Sequence, residues 1–369
     1  MSVQTQPNQE SFNAGEFGER MSARVQFAKY ANAGAVYENI LPLPQGGFTY
    51  RPGSRYIADV KTHSVRSWLI PFIFSNVQSY IMEMCEQRIR FFRNQAQIVA
   101  NDIGAAITNG TFDTNVASWT AAAGSLTHDG TNNRMVISAS GGRAQQSVTT
   151  STTNVEHVMR FEVHGVAGDE LAVRVGSTAG GSEYLADKVS KAGYHLVAFT
   201  PTASPFFVEF QNDMGKTVSI DDIALLDNTP IELWSDYSEA DLPNLSYVQS
   251  ADVMYFALGG STHVYRLDRF GHTSWSLTQV LFSDGPYLDE NDTSTTLSSS
   301  AGTGVGVTIT ASAVTGINDD TGFRATDVGR LIRMKSGSNF GFCQITGFTD
   351  TTHVTADVLG ESLPTSGNT

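Results

Sequence analysis

The feature that most constrains this chain is a succession of short strand-like runs in its middle third. "RMVISAS", "RAQQSVT", "EHVMRFEVHG", "ELAVRVGST", "GYHLVAFTP" and "FFVEFQND" follow one another with Gly- and Asn-containing turns between them and end at "SIDDIALLD" (219–227). Runs at this spacing specify antiparallel sheets packed face to face, because each strand has one apolar row to bury and too little length to cross a large core. The block opens near residue 107 with "TNGTFDTNVASWT" and is expected to be a self-contained β-sandwich domain over 107–227. The 34 glycines and only 16% charged residues point the same way, to many turns and few surface helices. The expected class is mainly β.

At 369 residues the chain exceeds what one core normally holds. Before the sandwich, "RYIADVK", "VRSWLIPFIFS", "SYIMEMCEQ" and "RIRFFRNQAQIVA" read as an antiparallel meander, with Asn94-Gln95 as a turn. A short helix is expected near residues 23–33. After the sandwich, "VMYFAL" and "HVYRLDR" read as strands joined by a Gly259–Ser261 turn, and "WSLTQVLF" as a third. These resemble the first meander in kind, so the sandwich is expected to interrupt one antiparallel β platform, residues 1–106 plus 228–292. Residues 293–369 are expected to form a small β-barrel-like module, loop-like at first, in which "ESLPTSGNT" provides no docking element. Such an end reads as a truncation, or as a sheet that a partner continues.

The net charge of -14 argues against ordinary nucleic-acid binding, which relies on Lys and Arg to neutralise phosphates. The charge is uneven: residues 1–106 carry 10 Lys/Arg against 8 Asp/Glu, and the rest 13 against 29. Cys85 and Cys343 lie far apart in unlike contexts and read as small buried hydrophobes. No apolar run reaches the ~20 residues of a membrane helix, and the start lacks the basic and apolar regions of a signal peptide, so a soluble chain made in the cytoplasm is expected.

No catalytic constellation emerges. "GHTSWS" is no nucleophile elbow, "AGTGVGV" lacks the Lys-Ser/Thr of a phosphate loop, and "DDTG" stands without the rest of an aspartic protease pattern. His157, His164 and His195 have no metal-ligand spacing. Asp221-Asp222 would serve glycoside hydrolysis poorly, since adjacent strand side chains point to opposite faces. Trp68, Trp119, Trp234 and Trp275 at strand positions read as core residues before stacking platforms.

The opening "NAGEFGERMSARVQFAKYANAGAVYENILPLPQGGFTYRPGSRYIADV" resembles the N-terminus of tail nozzle proteins, the tail tubular protein B type of short-tailed bacteriophages. The carrying residues are Gly15-Glu16-Phe17, Arg24, Tyr30, the Asn39–Pro44 run, Gly46-Gly47 and Arg51-Pro52-Gly53. "LPNLSYVQSADVMYFAL", "HVYRLDRFGHTSWSLTQVLFSDGPYLD", "DVGRLIRM" and "ITGFTDTTHVTADV" are similar to later parts of the same family. The resemblance implies a non-enzymatic virion protein: a ring of six copies below the portal and adaptor, meeting other tail proteins or fibres, through which phage DNA leaves.

The 107–227 block resembles a second family, the carbohydrate-binding jelly rolls, on "NGTFD" with Trp119, "GYHLVAFTP" and "SIDDIALLD". That resemblance implies a structural calcium ion at Asp113 and Asp222, and a rival function as a glycan-binding adhesin or tail decoration facing a host surface glycan. Arg51 and Arg55 read either as partners for a neighbouring subunit's acidic surface or as solvated turn residues. Arg88, Arg90 and Arg93 read as one strand face, meeting the acidic groups of an adaptor ring or solvent.

Overall fold

The computed structural model describes residues 9–75, 78–259, 263–282, 285, 287–336, 339–359 and 362–366. The chain is mainly β: its described helical structure is confined to single 3-10 turns, and nearly all its strand pairs are antiparallel. It divides into two compact units, Met1–Ile57 and Ala58–Thr369.

The larger unit holds three apolar cores. The first lies inside a sandwich. One wall is a five-stranded sheet in the order Leu185–Lys191, Glu170–Gly176, Phe206–Asn212, Gly142–Val148, Thr120–Ala123. The opposite wall comes from Leu126–Asp129, Arg134–Ile137, Val218–Leu226, His157–His164 and Gly193–Phe199. Strict alternation drives the packing: Met159, Phe161 and Val163 point inward to meet Val173, Val208 and Phe210 from the other wall. Trp119 belongs to this core and donates its indole N–H to the Asn109 carbonyl, 3.1 Å away.

The second wall does not stop at the sandwich. Gly193–Phe199 pairs antiparallel with Trp275–Gln279, and the sheet continues through Tyr265–Arg269 and Val253–Ala257 to Ser246–Ser250, nine strands in all. One continuous sheet therefore crosses residue 227, where the sequence suggested a domain limit. The added strands face a five-stranded sheet, ordered Glu232–Trp234, Arg88–Arg93, Gln78–Cys85, Trp68–Ser75 with Ala96–Gln97 also paired to Arg88–Arg93, and enclose the second core. Trp275 is its centre, stacked on Phe91 at 4.3 Å and meeting Phe72 and Tyr80 edge-on. Asn94 and Gln95 both take positive φ, 52° and 60°, and close a two-residue hairpin between Arg93 and Ala96.

The third core lies under a five-stranded sheet of Leu297–Ser299, Val307–Ala311, His353–Val358, Asn339–Asp350 and Leu331–Ser336. Its first strand starts within the stretch read as loop. The expected lack of a docking element near the end is also corrected: Leu363 is buried in this core, its N–H bonded to the Gly302 carbonyl at 2.8 Å. Both cysteines are buried free thiols.

Two local expectations fail for visible reasons. "RYIADVK" forms no strand; residues 59–67 instead strap the outer face of that five-stranded sheet, where Lys61 N–H and Ser67 Oγ both donate to Glu83. The helix expected at 23–33 is absent, because Ala23 sits at φ 61° and Val25, Phe27 and Val36 stay exposed with no core to face. The smaller unit holds 3-10 turns at Glu19–Met21 and Tyr30–Asn32, a two-residue parallel bridge, and one hairpin, Ile40–Pro42 with Phe48–Tyr50. The Gly259–Ser261 turn lies outside the described residues beyond Gly259.

Gly193 makes the sheet crossing possible: at φ 136°, a Cβ there would lie 2.2 Å from the Leu277 carbonyl oxygen. Gly193→Ala should therefore destabilise the fold by about 3 kcal/mol, from backbone strain and the clash together. Urea denaturation reads this out; an unchanged midpoint would mean that the crossing is not under that constraint.

Candidate functional site

The face of the nine-stranded sheet opposite the sandwich core carries a group of ionisable side chains. It arises from a bulge. In Val218–Leu226 the burial alternates until Asp221 and Asp222, both half-buried, and resumes with Ile223 inside. Asp222 adopts φ 52° and the register against His157–His164 slips there. The extra residue turns both carboxylates to the same outer face, which corrects the opposite-face expectation. Glu162, His164 and Arg160 share that face, and Tyr194 and Tyr265 lie alongside.

Several of these groups pair with one another. His164 Nδ1 lies 3.0 Å from Glu162 Oε1. Tyr194 and Tyr265 both donate to Asp236, and burial, aided by that carboxylate, pushes both phenols well above their ordinary range. Burial pushes Asp221 up to about 6, with the neighbouring charges of Asp222 and Glu162 adding to it, although the Asp222 N–H donates to its carboxylate at 2.7 Å. Asp222 is also raised by burial, against the pull of the Arg160 guanidinium. The remaining cleft, about 60 Å³, is lined by Glu162, His164, Tyr194, Asp236, Tyr265 and Gln279. This polar layer is largely half-buried, although His164 Nε2 and Gln279 Oε1 in it lack a hydrogen-bond partner.

The most enzyme-like pair in the chain lies deeper. His195 Nδ1 lies 2.9 Å from Ser276 Oγ, the arrangement of a base beside a nucleophile. Both residues are buried, His195 Nε2 donates to the Lys191 carbonyl at 2.7 Å, and burial pushes its pKa down to about 3. The pair is a hydrogen-bonded rung across the Gly193–Phe199 and Trp275–Gln279 strands, out of reach of a substrate.

Asp113 is exposed and accepts a bond from Thr111 at 3.0 Å, while the charges that act on Asp222 are Arg160, Glu162, His164 and Arg88. The two segments meet at the backbone, where the Ile223 N–H donates to the Gly110 carbonyl at 3.0 Å. Among the described residues no three His, Cys, Asp or Glu side chains are grouped to hold a metal.

Arg88, Arg90 and Arg93 do not form one face. Arg88 and Arg90 lie on the outer side of their strand, while Arg93 falls on the opposite row with Ile89 and Phe91. Arg90 is buried: it bonds Glu83 at 3.0 Å and the Asp59 carbonyl at 3.0 Å, and lies 3.7 Å from Glu232, which Lys61 also meets at 2.8 Å. Arg88 and Arg160 flank the Trp234 ring at 4.0 and 4.3 Å. Arg93 donates to His272 Nε2 at 2.8 Å. All three are committed within the chain. Arg51 and Arg55 lie in the exposed 51–55 stretch of the smaller unit.

What lacks internal cover is apolar, and sequence reading missed it. The smaller unit contains no buried hydrophobic side chain among its described residues; Val25, Val36, Leu41, Phe48 and Tyr50 are all exposed, Tyr50 by 82%. In the larger unit the edge strand Trp68–Ser75 buries Ile70 and Phe72 but presents Leu69 (68% exposed) and Ile73 (60%), with Ile81 across from Pro71. The signal was present in "WLIPFIF", which is apolar at both parities, a pattern that asks for cover on both faces.

A scan against protein-family models finds none that matches this chain, and a search of curated proteins finds no match either. Among the described residues no helix is long and apolar enough to cross a membrane.

The raised carboxyl gives a pH test of the polar layer. Asp221 in the folded chain keeps a proton that the unfolded chain releases from about pH 4, so stability falls as pH rises from about 4 to about 6. Asp221→Asn should remove that fall and stabilise the neutral-pH protein by about 1 kcal/mol, a value reduced for the solvent that reaches the group. Urea midpoints across this range check it; a variant that tracks the parent would show that another group titrates.

Proposed function

We propose that this chain is a structural subunit of a bacteriophage tail, assembled as a closed ring that forms a nozzle or tail tube for DNA exit. The observation that carries the reading is the smaller unit, whose apolar side chains have no core. A segment this size, punctuated by Gly46, Gly47, Pro52 and Gly53, offers only small aromatic contacts such as Phe12 with Phe48 at 5.2 Å. Its exposed Val, Leu, Phe and Tyr side chains gain free energy only when another surface covers them. A neighbouring copy supplies that surface at fixed geometry and in fixed number.

The charge balance supports the conduit. Residues 58–369 carry 18 Lys/Arg against 33 Asp/Glu, and an acidic lumen repels phosphate and lets DNA slide where a basic one would hold it. The burial of the bonded His195–Ser276 pair supports a scaffold over an enzyme.

The full chain should form a ring with a central channel by mass photometry and electron microscopy, alone or beside its adaptor. Changing Val25, Val36 and Tyr50 together to Asp should leave the melting temperature nearly unchanged, since exposed positions contribute little to folding, and yield monomers. A wild-type chain that stays monomeric in both settings would sink the ring reading.

A second reading, a glycan-binding adhesin, has one observation in its favour. Phe270, 60% exposed, stands at a groove of about 580 Å³ between the sandwich edge and the 270–274 loop, with the Lys188 ammonium 3.9 Å over its ring. Aromatic faces of this kind stack on sugar rings. If the groove is a glycan site, Phe270→Ala should weaken binding of host polysaccharide about tenfold, as loss of ~1.4 kcal/mol requires. Absence of any polysaccharide binding by the full chain would remove this reading.

A further inference from the structure

We infer that the Ile40–Pro42/Phe48–Tyr50 hairpin of one copy docks on the outer face of the Trp68–Ser75 and Gln78–Cys85 strands of the next. The inference rests on the ring reading, which brings a second copy alongside, and it names the two surfaces that meet.

The hairpin is the half that needs a partner. It pairs through only three residues a side, Ile40 with Tyr50, Leu41 with Thr49 and Pro42 with Phe48, and no third strand joins it among the described residues. A two-stranded ribbon is at best marginally stable in water and persists when a further layer covers one face. Phe48 and Tyr50, on the face shared with Ile40 and Pro42, give it apolar surface to offer, while Leu41 lies on the opposite face with Thr49.

The receiving face is built for cover by packing and closed to strand addition. On the edge strand, Pro71 has no N–H to give, and the Ile73 N–H and C=O are both taken by the Gln249 side-chain amide, each at 3.0 Å. Hydrogen bonding along that edge is thereby blocked, while the side chains of Leu69, Ile73 and Ile81 remain open on the flat of the sheet. The other end of this face is already covered by the 59–67 strap over Glu83 and Arg90, so the open part is a bounded patch. A layer of packed side chains suits it.

Charge favours the same pairing. Residues 1–57 carry five Lys/Arg against four Asp/Glu, whereas residues 58–369 carry 18 against 33. The near-neutral unit of one copy is attracted to the acidic unit of another, and two acidic units repel, which selects a head-to-tail contact. Head-to-tail contacts close into rings when the rotation permits.

A complementation experiment in the full chain tests the assignment. Phe48→Asp with Tyr50→Asp spoils the apolar face of the hairpin, and Leu69→Asp with Ile73→Asp spoils the receiving face. Each double variant alone should be monomeric with the melting curve of the parent. Mixed, they should form dimers and nothing larger, because only one intact hairpin and one intact face meet per pair. In parallel, a Tyr50→Cys chain mixed with an Ile73→Cys chain should give a disulfide-linked dimer under oxidation that neither gives alone, since Cys85 and Cys343 are buried. A face variant that still builds wild-type rings would overturn this site and leave the ring standing. A wild-type monomer would remove the ring itself. A Tyr50→Cys, Ile73→Cys chain that cross-links within itself at high dilution would overturn the second copy as occupant.

Discussion

The antiparallel pairing of Gly193–Phe199 with Trp275–Gln279 is the contact on which the larger unit depends. It is short and sits between strands some eighty residues apart, yet it converts a sandwich and a meander into one sheet. The Gly193 conformation lets the backbones approach, the buried His195–Ser276 bond fixes the register, and Trp275 carries the face of the sheet opposite the sandwich core onto Phe91 of the other layer. A buried hydrogen bond of this type is costly to leave half-made, so it specifies one register where the apolar contacts alone would tolerate several. Val158 and Leu196, from sandwich strands, accordingly belong to the platform core.

Around that joint, polar ties hold the remaining pieces. Lys216 bridges Asp169 of the sandwich at 2.8 Å and Asp357 of the last sheet at 3.1 Å; burial works against its charge, but the two carboxylates outweigh burial and hold it above the ordinary lysine range. The Lys61, Glu232, Arg90 and Glu83 cluster fastens the 59–67 strap. Buried ion pairs add less net stability than their Coulomb attraction suggests, because each charge gives up its water. Their effect here is orientation: each sets where one piece lies on another, and removal of a single partner would leave a charge buried alone.

The strands were legible because alternation is local. "EHVMRFEVHG" and "RIRFFR" announce their buried rows, and Asn94-Gln95 its turn, within a few residues. What was not legible depends on contacts made at a distance or on one backbone angle. Nothing near Gly193 announces that its neighbour is Leu277. The bulge at Asp222 reverses a parity argument that is sound for an unbroken strand, and so brings Asp221 and Asp222 together. At Arg93 the parity argument itself was misapplied, since an odd step from Arg90 crosses the strand. "RYIADVK" has strand composition but no free sheet edge to join, and became a strap.

The two units divide two physical tasks. The larger one buries its apolar side chains in three cores of its own and holds the Trp234 ring between two guanidinium groups. The smaller one leaves its apolar side chains without a core, so any surface that covered them would lower its free energy. Under the ring proposed above, a neighbouring copy would be that surface, and the order of the segment would then be tied to closure.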